Sequence, residues 1–142
     1  MKARYSKILI ALTGMILSDP SYAQQHLPAN WSVATHIPPD SGQTDQPGLA
    51  GCISGIYHHT LLIAGGSNFP GLMPWEGGKK HYYKGIFALK FSEGHSPVWI
   101  SAGPDSLTDN LAYSACTSTP AGVFSAGGEN ENGIVRSAFL LR

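Results

Sequence analysis

Charge is scarce in this chain. Asp, Glu, Lys and Arg make up 13% of 142 residues, and nine basic side chains face nine acidic ones. Lys79-Lys80 is the one basic pair and no basic stripe exists, which argues against a nucleic-acid partner. Long apolar runs are also missing. Residues 8–17 form a run of ten, broken by Thr13 and Gly14, where a bilayer span needs about 20. No stretch beyond residue 23 keeps a helical period. There is no Gly-rich phosphate loop and no Gly-x-Ser-x-Gly nucleophile elbow. Cysteine is limited to Cys52 and Cys116.

What is present begins with a leader. Lys2, Arg4 and Lys7 precede the short apolar run, Ser18-Asp19-Pro20 breaks it, and Ser21-Tyr22-Ala23 ends in small residues. This pattern predicts a secretory signal peptide over residues 1–23 and a periplasmic destination. Residues 24–142 then carry an acidic excess of two. Gly 17 and Pro 10 imply many turns, and the apolar runs favour β-branched and aromatic residues, so the expected class is all-β.

One short phrase is written twice. Leu61-Leu62-Ile63-Ala64-Gly65-Gly66 returns as Val123-Phe124-Ser125-Ala126-Gly127-Gly128, 62 residues later. A second apolar run follows each doublet, at residues 85–90 and 137–142. A Trp precedes each, Trp31 and Trp99. A repeat of this size is a supersecondary unit that shares a core with its neighbours. Strands are expected at residues 30–36, 49–57, 60–64, 82–91 and 98–102, then at 111–117, 123–128 and 135–141. The units span about residues 31–102 and 103–142. Small residues on the inner strands and bulky ones such as Phe87 and Trp99 outside fit sheets packed radially, the outer residues filling the space between blades. Cys52 and Cys116 fall on equivalent runs, two places out of register. They could pair, or serve as small buried hydrophobes. The second reading is preferred, because equivalent strands of neighbouring units seldom come within disulfide reach.

One connection breaks the symmetry. Residues 67–81 separate two strands that the second unit joins with about six residues. Loops of this length in repeat folds are commonly functional.

Taken together, Gly48-Leu49-Ala50-Gly51, then residues 62–70 (Leu-Ile-Ala-Gly-Gly-Ser-Asn-Phe-Pro), then Trp75-Glu76-Gly77-Gly78-Lys79-Lys80 with Tyr83 beyond, resemble the bacterial N-acetylneuraminate epimerases. These are sialic acid mutarotases built on kelch repeats, and the likeness is to their cyclically permuted branch. The resemblance covers residues 31–142. It implies a six-bladed kelch-type β-propeller that interconverts the α and β anomers of N-acetylneuraminate, a small sugar acid, without metal or organic cofactor. Six blades need roughly 300 residues, so the chain is read as an N-terminal fragment of about two four-stranded blades, inactive by itself.

Mutarotation asks for a base, an acid and a cation for the substrate carboxylate. The resemblance points to Glu129 and Arg136 as a catalytic pair in kind. The family's own Gly-Glu…Arg arrangement stands in a different blade, so the match is not one of register. Asn68, Glu76, Lys79 and Lys80, on or beside the long connection, are the substrate-binding candidates. For Asn68, capping the turn after the doublet is the competing role, and for the charges of the loop, solvation. Glu131 is expected to be exposed. His58-His59 does not suggest a metal site, since neighbours on a strand point to opposite faces. The competing function is a periplasmic kelch module that binds carbohydrate or protein without chemistry.

Overall fold

Short runs of alternating small and apolar residues, each ended by Gly or a turn, set the lengths of the strands. The computed structural model describes residues 29–39, 44–46, 48–100 and 106–142; the expected leader at 1–23 lies outside them. Two compact units are found, Met1–Ala34 and Thr35–Arg142. In the first, the described residues 29–34 form no strand, and Trp31 is 87% exposed. The strand expected over residues 30–36 is therefore not formed.

All sheets among the described residues lie in the second unit. Strands β1 (Ile53–Tyr57), β2 (Thr60–Ala64), β5 (Ile86–Lys90) and β6 (Val98–Ile100) form an antiparallel meander in the order β1-β2-β5-β6. Between β2 and β5, β3 (Ser67–Asn68) and β4 (His81–Tyr82) pair as a small extension. The pattern then repeats. Strands β7 (Ala115–Thr119), β8 (Gly122–Ala126) and β11 (Ala138–Leu141) make a three-stranded sheet, with β9 (Glu129–Asn130) and β10 (Gly133–Ile134) as its extension. This is one complete propeller blade and three strands of a second. The offset of 62 holds from β1–β3 to β7–β9, and falls to 52 for β4–β5 against β10–β11.

Period-two alternation decides which residues meet between the sheets. Ile53, Leu62, Ala64 and Ala88 of the first sheet bury against Val123, Leu107 and Leu111. Each large aliphatic chain so buried contributes about 1.5–3 kcal/mol. Phe87 and Leu89 sit on the opposite face of β5 and are also buried. Trp99 stands directly across from Leu89, so it shares that face and points away from the second blade. Its indole N–H donates to Thr35 Oγ1 at 3.1 Å. Phe87 and Trp99 thus face away from the junction between these two blades. On the second sheet, Phe124 and Leu140 are cross-strand partners on the far face and remain 40% and 37% exposed.

The junction between the blades uses equivalent positions. The Ile56 N–H donates to Ser118 Oγ at 2.8 Å, and the Ser54 N–H approaches Cys116 Sγ at 3.5 Å, both across 62 residues. These N–H groups lie on the inner edge of β1, where no further strand pairs. Side chains of β7 take the place of that strand. The inner strands therefore come close together, and both cysteines are free because the two-place stagger sets Cys116 opposite Ser54, not Cys52. Burial raises the Cys52 thiol above its ordinary pKa.

The Gly doublets are a backbone necessity. Gly65 and Gly66 have φ of 65° and 106°, and Gly127 and Gly128 have 68° and 105°. The Gly66 N–H donates to Leu111 O at 2.8 Å. A Cβ on Gly65 would stand 2.2 Å from that same oxygen. Only glycine permits this turn at this approach.

Candidate functional site

Both extensions, β3–β4 and β9–β10, follow directly on a Gly doublet. Their first residues, Ser67 and Glu129, occupy equivalent places in the repeat: Ser67 bridges to Ala50 and Glu129 to Ala112. The first blade puts a fully buried serine there and the second a partly exposed glutamate. That difference is the nucleus of the site.

Glu129 Oε1 accepts two hydrogen bonds from the first blade, one from Lys80 Nζ at 2.9 Å and one from the Tyr82 hydroxyl at 2.8 Å. The ion pair is about one-third exposed on both sides. The Lys80 ammonium, then the Tyr82 hydroxyl, hold the Glu129 carboxyl below the ordinary carboxylate range. In return the bond to Glu129 raises both Lys80 and Tyr82. At neutral pH the carboxylate is ionised, the ammonium charged and the phenol protonated. Oε2 has no hydrogen-bond partner among the described residues, so one carboxylate oxygen is anchored and the other is open.

A second aromatic residue closes the group. Lys80 Nζ lies 4.8 Å from the centre of the Tyr113 ring and 5.5 Å from that of Tyr82. Tyr113 shares a hydrogen bond of 3.2 Å with Ser67 Oγ. Beside it, the Tyr83 hydroxyl donates to Asn68 Oδ1 at 2.8 Å, and His81 packs edge-on against Tyr83.

Of the residues expected from sequence, the structure brings Lys80 and Glu129 together, with Asn68 on the same extension as Lys80. Glu76 turns inward on its own loop, where its carboxylate accepts the Met73 N–H at 3.1 Å and closes the short 3₁₀ turn Pro74–Glu76. Lys79 is exposed. Arg136 is exposed, and the ion pair of Glu129 is with Lys80 instead. Glu131 accepts from Asn110 Nδ2 at 3.1 Å. Tyr82 and Tyr113 are not among the candidates legible in the sequence, and Tyr83 enters there only as part of the resemblance. Tyr113 could have been found: counted back by the repeat offset, it falls on Gly51. Among the described residues, no group of three or more His, Cys, Asp or Glu could hold a metal ion. His58 and His59 form the β1–β2 turn, exposed and at positive φ.

The meander, the paired extensions after Gly-Gly and the charged rim above them define a kelch-type propeller protein. A solved structure of YjhT superimposes with a TM-score of 0.53 at 26% identity, covering 68% of this chain and 28% of that one. Residues 18–141 match the N-acetylneuraminate epimerase family, and the chain belongs to that family. It is 37% identical over 103 residues to the N-acetylneuraminate epimerase of Vibrio vulnificus, covering 70% of this chain and 26% of the relative. With the Brucella melitensis enzyme of the same name it shares 32% identity over 124 residues, 80% of this chain and 30% of the relative. The chain thus spans between a quarter and a third of the length of these curated relatives.

Proposed function

We propose that the rim built by Lys80, Tyr82 and Glu129 forms part of a site that binds N-acetylneuraminate and assists interconversion of its anomers. The family membership and one geometric fact support this reading. That fact is a carboxylate that accepts, on one oxygen, hydrogen bonds from two donors of the neighbouring blade, with its second oxygen open.

Opening the sugar ring requires removal of the anomeric hydroxyl proton, cleavage of the bond from the anomeric carbon to the ring oxygen, and protonation of that oxygen. Rotation and the reverse steps return the other anomer, with no net change in atoms or electrons. In this reading Glu129 Oε2 accepts the anomeric proton. Lys80 supplies positive charge for the substrate carboxylate. Lys80 and Tyr82 are poor acids here, because the bond to Glu129 holds their protons. The ring oxygen is protonated by water or by another group. A periplasmic setting, expected from the leader, fits a substrate released outside the cytoplasm.

Calorimetric titration of the chain with N-acetylneuraminate and with N-acetylmannosamine, which lacks the carboxylate, tests the reading. Binding of the first and not the second is expected, with loss of binding on Lys80→Ala. Equal responses to the two sugars would remove the role of Lys80. Absence of binding by either would remove the function from this rim.

A further inference from the structure

Positions 51 and 113 are equivalent in the repeat. Each follows Leu-Ala, and each precedes an inner strand. Both residues are left-handed, with φ of 63° at Gly51 and 59° at Tyr113. The turn needs a residue that tolerates this conformation, and the first blade supplies glycine. The second supplies tyrosine, for which the left-handed region is an outlier. Backbone strain of this kind persists where surrounding contacts over-determine it, and such residues gather at functional sites.

Four contacts tie Tyr113 to the first blade, and one of them reaches Lys80 of the Lys80–Glu129 pair. The Tyr113 N–H donates to Gly51 O at 2.7 Å. Its ring lies so close over Gly51 that a Cβ there would stand 2.5 Å from Cδ1. Its hydroxyl bonds to Ser67, the counterpart of Glu129, at 3.2 Å. The ring is 4.8 Å from Lys80 Nζ, nearer than that of Tyr82. Lys80 is a long, flexible side chain on an exposed hairpin, and a ring face restricts where its ammonium can sit.

We propose that Tyr113 is a positioning residue. It holds the Lys80 ammonium against Glu129 Oε1 and so keeps Oε2 open for a ligand. The backbone strain at position 113 is retained for that purpose. This rests on the reading of Lys80 and Glu129 as the working pair.

The test is a ¹³C NMR titration of the Glu129 carboxyl in the wild-type chain and in Tyr113→Gly, Tyr113→Asn and Tyr113→Phe. Gly and Asn both accept the left-handed backbone and both remove the ring; Phe keeps the ring and loses the hydroxyl. The Gly variant is expected to melt at or above the wild-type temperature. The Glu129 midpoint is expected to rise toward the ordinary carboxylate value in the Gly and Asn variants and to stay in place with Phe. Affinity for N-acetylneuraminate should fall about fivefold in the two ringless variants, the loss of one cation–π contact. A lower melting temperature or loss of fold in both ringless variants, with the Glu129 midpoint unmoved where it can be read, would overturn the proposal and make Tyr113 a packing residue. If the midpoint rises but no form of the chain binds the sugar, the positioning role stands and the functional reading falls.

Discussion

Glu129 is anchored by two protons that it must compete for, and this sets how the chain responds to pH. Its folded pKa is depressed, so its contribution to stability is present above the ordinary Glu pKa of about 4.3 and is lost as pH falls through the lower folded value. Lys80 is raised, so its share is present below about 10.4 and is lost as pH rises through the higher folded value. A melting-temperature profile is expected to be flat from about pH 4.3 to about pH 8.5, where the raised Cys52 thiol begins to cost stability, and to fall on both sides of that window. Glu129→Gln should remove most of the acid slope and lower the alkaline one, and a profile unchanged from wild type would show that the pair contributes nothing. Lys80 and Glu129 were each legible as candidates in the sequence, from the long connection and the Gly-Glu junction. Their meeting was not, because the resemblance suggested Arg136 as the partner and nothing in the chain order sets Lys80 beside a residue 49 positions later. Tyr113 escaped because a single aromatic residue carries no motif. Its meaning comes from the glycine that it replaces in the repeat.

The elements were read more easily than the contacts. Doublets, hairpin turns and the four strands of the first sheet follow from local chemistry: small residues and Gly-Gly where backbones crowd, alternation where one face is buried. Local chemistry does not decide which face a strand presents. Trp99 and Phe87 belong to the right strands, yet ladder register turns them away from the junction. The length difference between the two connections offers a direct test at this scale. Twelve residues, 69–80, separate β3 from β4, against two, Glu131 and Asn132, between β9 and β10. Deleting residues 69–78 leaves Lys79-Lys80 as a two-residue loop of matching length. The shortened chain is expected to keep its sheets, with stability within about 1 kcal/mol, since loop closure depends only weakly on length. Circular dichroism melts would check this. Collapse of the fold would mean that the exposed apolar loop, with Leu72, Met73 and Trp75, is needed for folding.

At the scale of the molecule, the two blades differ in what covers them. The first buries Phe87 and Leu89 on its far face and leaves Ile56 there exposed. The second shows Phe124 and Leu140 on its far face, while β6 ends the first sheet with Val98 and Ile100 exposed. Apolar faces and unpaired edges of this kind invite association. Residues 24–142 are expected to self-associate with rising concentration, as seen by light scattering behind size exclusion. A monomer that melts in one sharp transition would contradict this. The junction between the blades has a consequence of its own. Because Ser118 and Cys116 serve the edge of β1 from positions one repeat away, the joint is written into the module itself. A tandem gene that copied this module once more would inherit the same joint, and the new wedge would dock without any redesigned surface.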